Sequence, residues 1–219
     1  MDVRPDQLPH RELYRLLLCA VAPRPIAWVS TLHEGHLNLA PFSFFNVVSA
    51  KPPLLGFSPG LRLVDGQTVP KDTLHNIRQT GEFVVNVVTF AVSEAMNLSS
   101  GEYDSSVDEF ALAKLTTRPS QVVHPPQVAE SPVSFECKLN RIVDFGTEPG
   151  SSSLVIGEIV SVHLEDDVIK EGQLDGSALD LIGRMGGIQY SRTTTRFEIK
   201  RPEVQRPAVQ QPGLPDSKK

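Results

Sequence analysis

The segment from residue 23 to residue 58 constrains the fold of this chain more than any other part of it. Apolar, strand-like runs here alternate with small hydroxyl and amide residues, which stand where a strand should end. Pro23 and Pro25 end the helical pattern that precedes the segment, and the glycine-containing stretch 33–36 predicts a tight turn between two strands. The segment therefore predicts antiparallel strands whose ends present hydrogen-bond donors to a flat, anionic ligand.

The rest of the chain continues this irregular mixture of short strands and short helices. The expected helices cover 8–20, 71–81, 93–98 and 107–113, and the expected strands cover 26–31, 37–40, 42–49, 54–57, 83–89, 133–145 and 153–164. Residues 60–70 are expected to form a loop, and Asp72 is the expected N-cap of the second helix. The regular strand–helix alternation of a parallel sheet is missing. The predicted fold class is therefore mainly β, a closed or nearly closed antiparallel barrel with peripheral helices.

Length and composition are those of an ordinary globular chain. With 219 residues, 40% of them apolar and 21% charged, the chain can bury a fair-sized core. We expect one domain over residues 1–200, followed by a flexible, proline-rich tail over 201–219. No apolar run is long enough for a membrane span and no convincing signal peptide is present, so the expected location is the cytoplasm, with no membrane partner. The net charge of -5, without any block of basic residues, argues against a nucleic acid partner.

Several familiar kinds of functional site are missing from the sequence. Neither the dinucleotide fingerprint GxGxxG nor the phosphate loop GxxxxGKS/T occurs where a nucleotide fold would need it. The motif HEGH at residues 33–36 is one residue shorter than the zinc-binding motif of helices and falls in the expected turn, so no metal site is predicted. Cys19 and Cys137 lie far apart among apolar or strand-like neighbours, and both are expected to be buried, reduced thiols. No residue is assigned as catalytic.

Four motifs, in fixed order and spacing, resemble those of one protein family. They are PRPIAWVST at 23–31, NLAPFSFFNVVSAKPP at 38–53, KDTLHNI at 71–77 and TGEFVVNVV at 80–88. Three segments later in the chain also agree with the motifs of that family, namely SPVSFECKL, LVIGEIVSVHL and RMGGIQY. Over about residues 10–200 the chain thus resembles the flavin reductase-like family of FMN-binding split-barrel proteins.

The resemblance implies a six-stranded antiparallel Greek-key split barrel, which forms a homodimer with FMN, or alternatively FAD, near the subunit interface. It also implies an oxidoreductase that takes a hydride from NADH or NADPH and passes electrons to an acceptor or to a partner monooxygenase. Two other interpretations stay open from the sequence. One is an FMN-binding electron carrier with no nicotinamide activity, and the other is a structural barrel without a cofactor. A flavin carries its own redox chemistry, so no acid or base residue is required.

Ten residues are candidates for flavin binding. The candidates at the phosphate end are Ser49, Lys51, Lys71, Asp72 and Thr73, and those that the resemblance assigns to the ring are Ser30, Thr31, Ser43, Phe44 and Asn46. Among the former, Asp72 is expected to cap the helix rather than to touch the phosphate, because two anions would repel each other. The KDT motif opens a helix, where free N–H groups and a partial positive charge favour an anion, with Lys71 as countercharge and Thr73 as hydroxyl donor. At the ring, Phe44 would supply apolar surface, and Ser43 and Asn46 would supply polar contacts.

Each of these assignments has a purely structural alternative. The hydroxyls of Ser43 and Ser49 could be satisfied by nearby backbone, as strand-end hydroxyls often are. Residues 71–73 could be no more than the start of a helix. Arg184 and Tyr190 could approach the ligand from the C-terminal side of the domain, or they could be an exposed-loop arginine and a packed tyrosine.

Overall fold

The structure, a computed structural model, describes residues 2–202. Its helices are α1 His10–Ala20, α2 Asp72–Thr80, α3 Ser93–Leu98 and α4 Glu109–Leu112, with short 3-10 turns at Pro5–Gln7, Phe90–Val92 and Asp166–Val168. Its strands are β1 Ala27–His33, β2 His36–Phe42, β3 Phe45–Ala50, β4 Pro53–Phe57, β5 Leu61–Val64, β6 Gln67–Pro70, β7 Glu82–Val87, β8 Thr117–Arg118, β9 Gln127–Val128, β10 Val133–Asp144, β11 Ser153–Leu164, β12 Ile169–Lys170, β13 Gln173–Leu174, β14 Ile182–Arg184 and β15 Tyr190–Arg192. Most of the flexible tail expected at 201–219 lies outside the described residues. Within residues 2–202, no helix combines the length and the apolar character that crossing a membrane requires.

Seven strands form one antiparallel sheet, in the order β2-β1-β7-β10-β11-β4-β3. The strands at its two edges, β2 and β3, are consecutive in the chain and are joined by Ser43 and Phe44 alone. Because a two-residue link reaches about 10 Å when fully extended, the two edges must meet, and the sheet closes into a barrel. Counted as one strand bent at these two residues, β2 and β3 make the barrel six-stranded, as the resemblance implies.

The connections give the barrel its Greek-key topology. The strands β1, β2–β3 and β4 follow one another as antiparallel neighbours. The chain then crosses through the β5–β6 hairpin and α2, and it places β7 beside β1. A fourth strand that returns to lie beside the first defines a Greek key. The strands β10 and β11 complete the barrel by pairing with β7 and β4, so the predicted fold class is confirmed.

Apolar side chains fill the interior of the barrel. The strands contribute Ala27, Val29, Phe42, Leu55, Phe57, Phe83, Val85, Cys137 and Val155, and α2 contributes Leu74 and Ile77. Gly157 of β11 makes room for one of the rings, because a Cβ atom at this position would lie 2.3 Å from Cζ of Phe83. The interior is therefore a packed core rather than a ligand cavity.

A second apolar cluster covers the outer face of β1 and β2. The fully buried Trp28 joins Met96 of α3 and Phe110 of α4 in this cluster, and its indole Nε1 donates to Ser99 Oγ at 2.9 Å. Because both faces of β1 are covered, its residues 27–31 are all buried. The cluster fixes α3 and α4 beside the outer surface of β2.

The segment 60–70 differs from its expected structure. It forms the β5–β6 hairpin rather than a loop, and Asp65 and Gly66 make the turn with φ angles of 49° and 78°. Asp-Gly between two short apolar runs is a strong hairpin signal, because both turn positions need a positive φ. The expectation of a loop was therefore wrong, and the Asp-Gly turn signal is the feature that it left out.

The two cysteines differ in burial. Cys137 is buried in the barrel core, as expected, and burial raises the pKa of its thiol far above the usual range. Cys19 is exposed, so the expectation for it was wrong. The reason is that α1, which carries Cys19, has no buried residue at all. In this single chain α1 lies on the surface with apolar side chains exposed, among them Tyr14, Leu16 and Leu17.

Candidate functional site

Two adjoining cavities lie on the outer surface beside β2, and candidate residues line both. The Ser43 groove, about 220 Å³ in volume, is lined by Ser43 and by side chains of α1, α3 and the β14–β15 hairpin. The Lys71 cleft, about 40 Å³, is lined by residues 71–73, by β2 and by the segment 99–103. The groove and the cleft share Pro41 and Ser100. The groove and the cleft are therefore next to each other.

The Lys71 cleft lies at the N-terminus of α2. Lys71 occupies the N-cap position, and none of the ion pairs within residues 2–202 includes it. The expectation that Asp72 caps the helix was wrong, because both of its carboxylate oxygens accept from Arg62 Nη2, at 3.0 and 3.2 Å. The Arg62 Nε atom is buried and has no hydrogen-bond partner among the described residues. One lysine and one partly satisfied guanidinium therefore stand beside the helix terminus.

The buried carboxylate of Glu109 fixes the direction in which the Thr73 hydroxyl donates, through the side-chain amide of Asn38. Glu109 accepts from Leu39 N at 3.0 Å and from Asn38 Nδ2 at 3.1 Å. Because an ionised carboxylate only accepts, it draws the Asn38 amide nitrogen toward itself and leaves Oδ1 to face Thr73, whose Oγ1 donates to it at 2.7 Å. The hydroxyl proton of Thr73 is thus engaged inside the protein. The free donors at the cleft are instead the backbone N–H groups of the first turn of α2.

Burial also sets the protonation of this carboxyl. Glu109 is 6% exposed, and desolvation raises its pKa above the ordinary value of 4.5, although hydrogen bonds from Leu39 and Asn38 act in the opposite direction. The negative charge of Asp72 adds to the increase. Perturbed titratable groups on the wall of a cleft are concentrated at functional sites.

The guanidinium of Arg24 forms one wall of the Ser43 groove and is 5% exposed. Its Nη1 donates to Leu18 O and to Val21 O, both at 2.6 Å, at the C-terminal end of α1. Nη2 donates to Met185 O at 2.9 Å, and Nε donates to Ser43 Oγ at 3.4 Å. Desolvation lowers the pKa of Arg24. One side chain therefore joins α1, the β14–β15 hairpin and the bend between β2 and β3.

Aromatic and cationic side chains border the other side of the same groove. Arg184 donates through Nη1 to the hydroxyl of Tyr190, and its Cζ lies 4.5 Å from the centre of that ring. Both residues line the Ser43 groove. Phe44 is half exposed at the bend, and its ring centre lies 6.5 Å from that of Tyr14. Arg184 and Tyr190 therefore lie side by side in the lining of the Ser43 groove, and their contact with a ligand stays a prediction.

The three candidates on or after β3 do not line either cavity. Asn46 Oδ1 accepts from the Val47 N–H at 2.8 Å, and Ser49 Oγ accepts from the Lys51 N–H at 3.2 Å. For Ser49, the structure therefore has the backbone bond that the structural alternative describes. For Ser43 it does not, because its hydroxyl accepts from Arg24.

Ser30 and Thr31 are fully buried in this chain. Ser30 Oγ donates to Pro126 O at 2.6 Å, and Thr31 Oγ1 accepts from Asn76 Nδ2 at 2.9 Å. Both hydroxyls thus have partners inside the protein and no exposed surface for a ligand. Their assignment to the ring finds no support in this geometry. Thr31 is instead hydrogen-bonded to Asn76, which belongs to α2.

Sequence reasoning missed the polar residues that organise the two cavities, namely Arg24, Asn38, Arg62 and Glu109. Arg24 could have been suspected, because it stands between two prolines in the first motif of the resemblance. The other three carry no local signal, since their partners are distant in sequence. Within residues 2–202, no three His, Cys, Asp or Glu side chains are grouped closely enough to hold a metal ion.

Comparison with known proteins identifies the family and two similar structures. The sequence model described as flavin reductase like domain matches residues 20–181. An uncharacterized protein of Halalkalibacterium halodurans is 42% identical over 205 residues, which make up 92% of this chain and 97% of that protein.

Two crystal structures match the fold over almost its whole length. Nitrilotriacetate monooxygenase component B from Bacillus cereus superposes with a TM-score of 0.84 at 32% identity, covering 91% of this chain and 98% of that one. The 2-nitrobenzoate 2-nitroreductase of Pseudomonas fluorescens superposes with a TM-score of 0.82 at 32% identity, covering 95% of this chain and all of that one.

Replacing Glu109 with Gln tests the electrostatics of the cleft. Because the folded state raises the pKa of this carboxyl, the unfolded chain loses its proton first, and ionisation favours unfolding. The wild-type free energy of unfolding should therefore fall, relative to that of Glu109→Gln, as the pH rises above 4.5. The difference should level off above the raised pKa. Urea denaturation of both proteins across this pH range measures the effect. A wild-type free energy of unfolding that stays constant or rises with pH, relative to that of the variant, would contradict the assignment.

Proposed function

Since the chain belongs to the flavin reductase-like family, we propose that it is an FMN-binding oxidoreductase, a NAD(P)H-dependent flavin reductase that passes electrons to an acceptor or to a partner oxygenase. The observation that carries the proposal is that the Lys71 cleft and the Ser43 groove lie next to each other, with two lining residues in common. The two cavities differ in chemistry in the way that the two ends of FMN differ.

The Lys71 cleft fits the phosphate. Lys71 supplies a cation that has no ion pair within residues 2–202, and the first turn of the nine-residue helix α2 supplies backbone N–H donors. The buried Arg62 Nε lacks an acceptor in this structure, and a phosphate oxygen would provide one. Asp72 orients Arg62 rather than repelling the ligand, because its carboxylate is already paired.

The Ser43 groove fits a flat, partly polar ring. Tyr14 and Tyr190 offer aromatic surface, while Asn97 and Ser43 offer an amide and a hydroxyl. Phe44 does not line the groove but lies next to Tyr14 at the bend. When bound there, FMN would supply the hydride-accepting centre, which no side chain can supply. The tasks left to the chain are to bind the phosphate, to hold the ring against the groove and to keep one face accessible to a nicotinamide.

The comparisons support two proposals for the electron acceptor. Likeness to a monooxygenase component B supports delivery of electrons to a separate oxygenase. Equal identity to a nitroreductase supports reduction of a small acceptor by this protein itself. The electron-carrier alternative differs from both in needing no nicotinamide. Cytoplasmic location stays a prediction from the sequence.

The proposed assembly is a homodimer. In α1, apolar residues recur at helical spacing although none is buried, and Leu16 and Leu17 are both nearly half exposed. On β3, Val47 is 64% exposed, and Phe44 at the neighbouring bend lies against Tyr14 of α1. Contiguous exposed apolar surface of this kind marks protein interfaces. A second copy of the chain would cover it and would border the Ser43 groove.

Anaerobic mixing of the FMN-loaded protein with NADH, and separately with NADPH, tests the reductase activity. We expect the visible flavin absorbance to bleach within the stopped-flow time range with at least one nucleotide. Bleaching with neither nucleotide, in a protein that does bind FMN, would exclude the reductase and leave the electron carrier. A protein that neither acquires a flavin spectrum nor gains thermal stability with FMN would exclude both.

Replacing Lys71 with Ala tests the phosphate end of the site. Losing one charge-assisted bond to a phosphate should weaken FMN binding by about ten- to a hundredfold, with the fold retained. Quenching of flavin fluorescence measures the affinity, and circular dichroism checks the fold. Lys170→Ala, at an exposed position on β12, is the matched control and should bind FMN as the wild type does. Equal affinity of the Lys71 variant and the wild type would remove Lys71 from the site.

Replacing Val47 with Asp tests the proposed interface. A carboxylate at the centre of an apolar interface would be desolvated without a partner, so the substitution should shift sedimentation from dimer to monomer at micromolar concentration. Leu63→Asp, at a position 60% exposed on the β5–β6 hairpin, is the control and should leave the assembly unchanged. A wild-type protein that sediments as a monomer would refute the homodimer directly.

A further inference from the structure

The carboxyl group of Glu109 lines the Lys71 cleft, and the proposed function gives it no role. It is supplied by α4, whereas Lys71 and Thr73 belong to the start of α2. An ionised carboxylate on the wall of a phosphate site is unfavourable, because two anions repel each other most strongly where little water screens them. Glu109 is buried, so this repulsion would be strong unless the carboxyl takes up a proton.

A chain of hydrogen bonds between buried side chains runs from α2 to this carboxylate. Asn76 Nδ2 donates to Thr31 Oγ1 at 2.9 Å, and Thr31 Oγ1 donates to Asn38 Oδ1 at 3.4 Å. Thr73 Oγ1 donates to the same Oδ1 at 2.7 Å, and Asn38 Nδ2 donates to Glu109 at 3.1 Å. Every donor in the chain thus points toward the one group that can only accept while it is ionised. The charge of Glu109 therefore fixes the direction of the whole chain.

Protonation of Glu109 would reverse the direction of this chain. A carboxyl that has taken up a proton from solvent carries one O–H donor. After a half-turn of the Asn38 amide, this O–H would donate to Asn38 Oδ1, and Asn38 Nδ2 would donate to Thr73 Oγ1. The second carboxyl oxygen would go on accepting from Leu39 N. The proton of the Thr73 hydroxyl would then be free to turn to the cleft, which Thr73 lines.

The charged and titratable groups around the cleft favour this protonation when a phosphate is bound. From α2, β5 and the segment 99–103, the groups that share the cleft with Glu109 are Lys71, Asp72, Arg62, Glu102 and Tyr103. Among the described residues, β2 adds only uncharged side chains, and no histidine lines the cleft. Asp72 is paired with Arg62, and Glu102 is exposed. Glu109 is therefore the carboxyl that a bound phosphate would drive toward its neutral form.

We propose that Glu109 is a positioning residue that couples phosphate binding in the Lys71 cleft to the uptake of a proton. While ionised, it holds the Thr73 hydroxyl proton away from the ligand, and when protonated it releases that hydroxyl as one more donor to the phosphate. The inference rests on the proposed function, since the phosphate is that of the FMN assigned to the cleft. Binding of FMN would thus strengthen as the pH falls through the range in which Glu109 takes up its proton.

Replacing Glu109 with Gln imitates the protonated carboxyl, because the Gln amide carries no charge and can donate to Asn38. At about pH 8, where the wild-type carboxyl is ionised, the variant should bind FMN about tenfold more tightly, the gain expected from one hydrogen bond to a charged group. The difference should vanish as the pH falls below the raised pKa of Glu109. A merely structural role predicts the opposite sign, since the variant would lose a charged acceptor that holds Asn38. Glu158→Gln, exposed on β11, is the control and should bind FMN as the wild type does.

Calorimetric titration with FMN, in buffers that differ in ionisation enthalpy, measures the protons taken up on binding. A tenfold effect of protonation on affinity corresponds to a maximum uptake of about half a proton per FMN. Since the FMN phosphate itself titrates near about pH 6, the uptake that belongs to Glu109 is the excess of the wild type over Glu109→Gln. Riboflavin, which lacks the phosphate, should show no such excess. Equal uptake by the two proteins, or equal or weaker FMN binding by the variant at about pH 8, overturns the proposal.

Replacing Thr73 with Val tests whether its hydroxyl carries the effect. Val keeps the branched shape and lacks the hydroxyl, so Thr73→Val should remove most of the gain in FMN affinity when it is combined with Glu109→Gln. Alone, at about pH 8, it should change FMN affinity little, because the hydroxyl proton is then turned away from the cleft. Circular dichroism and riboflavin binding check that the fold is retained. A gain of unchanged size in the double variant would overturn the proposal.

The role of Glu109 and the proposed function can fail separately. Proton uptake that depends on Glu109, in a protein whose flavin no nicotinamide reduces, would keep this role and reject the reductase activity. Flavin reduction in a protein whose FMN affinity is independent of Glu109 would reject this role alone. A wild-type protein that binds no FMN would refute both.

Discussion

The structure depends on one covalent constraint, the two-residue link between strands that lie at opposite edges of the sheet. Ser43 and Phe44 leave the chain no means of separating β2 from β3, so the seven-stranded sheet must close. Closure fills the interior with apolar side chains and moves binding functions to the outside. The same two residues also contribute to the outer surface, because Ser43 lines the Ser43 groove and Phe44 is half exposed beside α1.

The polar chemistry of the site follows from placing a few charges in poorly hydrated positions. The carboxylate of Glu109 can only accept while ionised, so it determines which way the Asn38 amide points, and that amide determines where Thr73 directs its proton. Arg62 is oriented in a similar way by Asp72. The first turn of α2 thus lies beside side chains whose hydrogen bonds are largely assigned, and the donors that the proposed function leaves for the phosphate are Lys71, the backbone N–H groups and Arg62 Nε.

Local sequence patterns predicted the elements that depend on local interactions. The long strands β10 and β11 have strand-like composition throughout, and α2 ends at Gly81, which adopts the left-handed conformation with a φ of 69°. The β5–β6 hairpin was missed although its Asp-Gly turn is a local signal. Within the site, the motif containing Ser43 and the motif 71–73 could be found because each is contiguous in the chain.

The residues that could not be predicted act only through partners brought together by folding. Glu109 meets Asn38 across 71 positions of sequence, and Arg24 meets Met185 across 161. No periodicity or composition encodes such a pair. The same reason explains why the hydrogen bonds of Ser30 and Thr31, which the resemblance assigns to the ring, could not be foreseen: both hydroxyls bond to distant partners inside the folded protein. Strand position is a local property, whereas burial of both sheet faces depends on α3 and α4.

The buried guanidinium of Arg24 has a mechanical consequence for the molecule. Its short bonds to Leu18, Val21 and Met185 tie the end of α1 and the β14–β15 hairpin to a side chain that lines the Ser43 groove. The outer face of α1 is also where the chain exposes apolar side chains. In the proposed homodimer, a contact on that face would therefore be one hydrogen-bonded side chain away from the groove, and association at α1 and ligand binding in the groove would be thermodynamically linked.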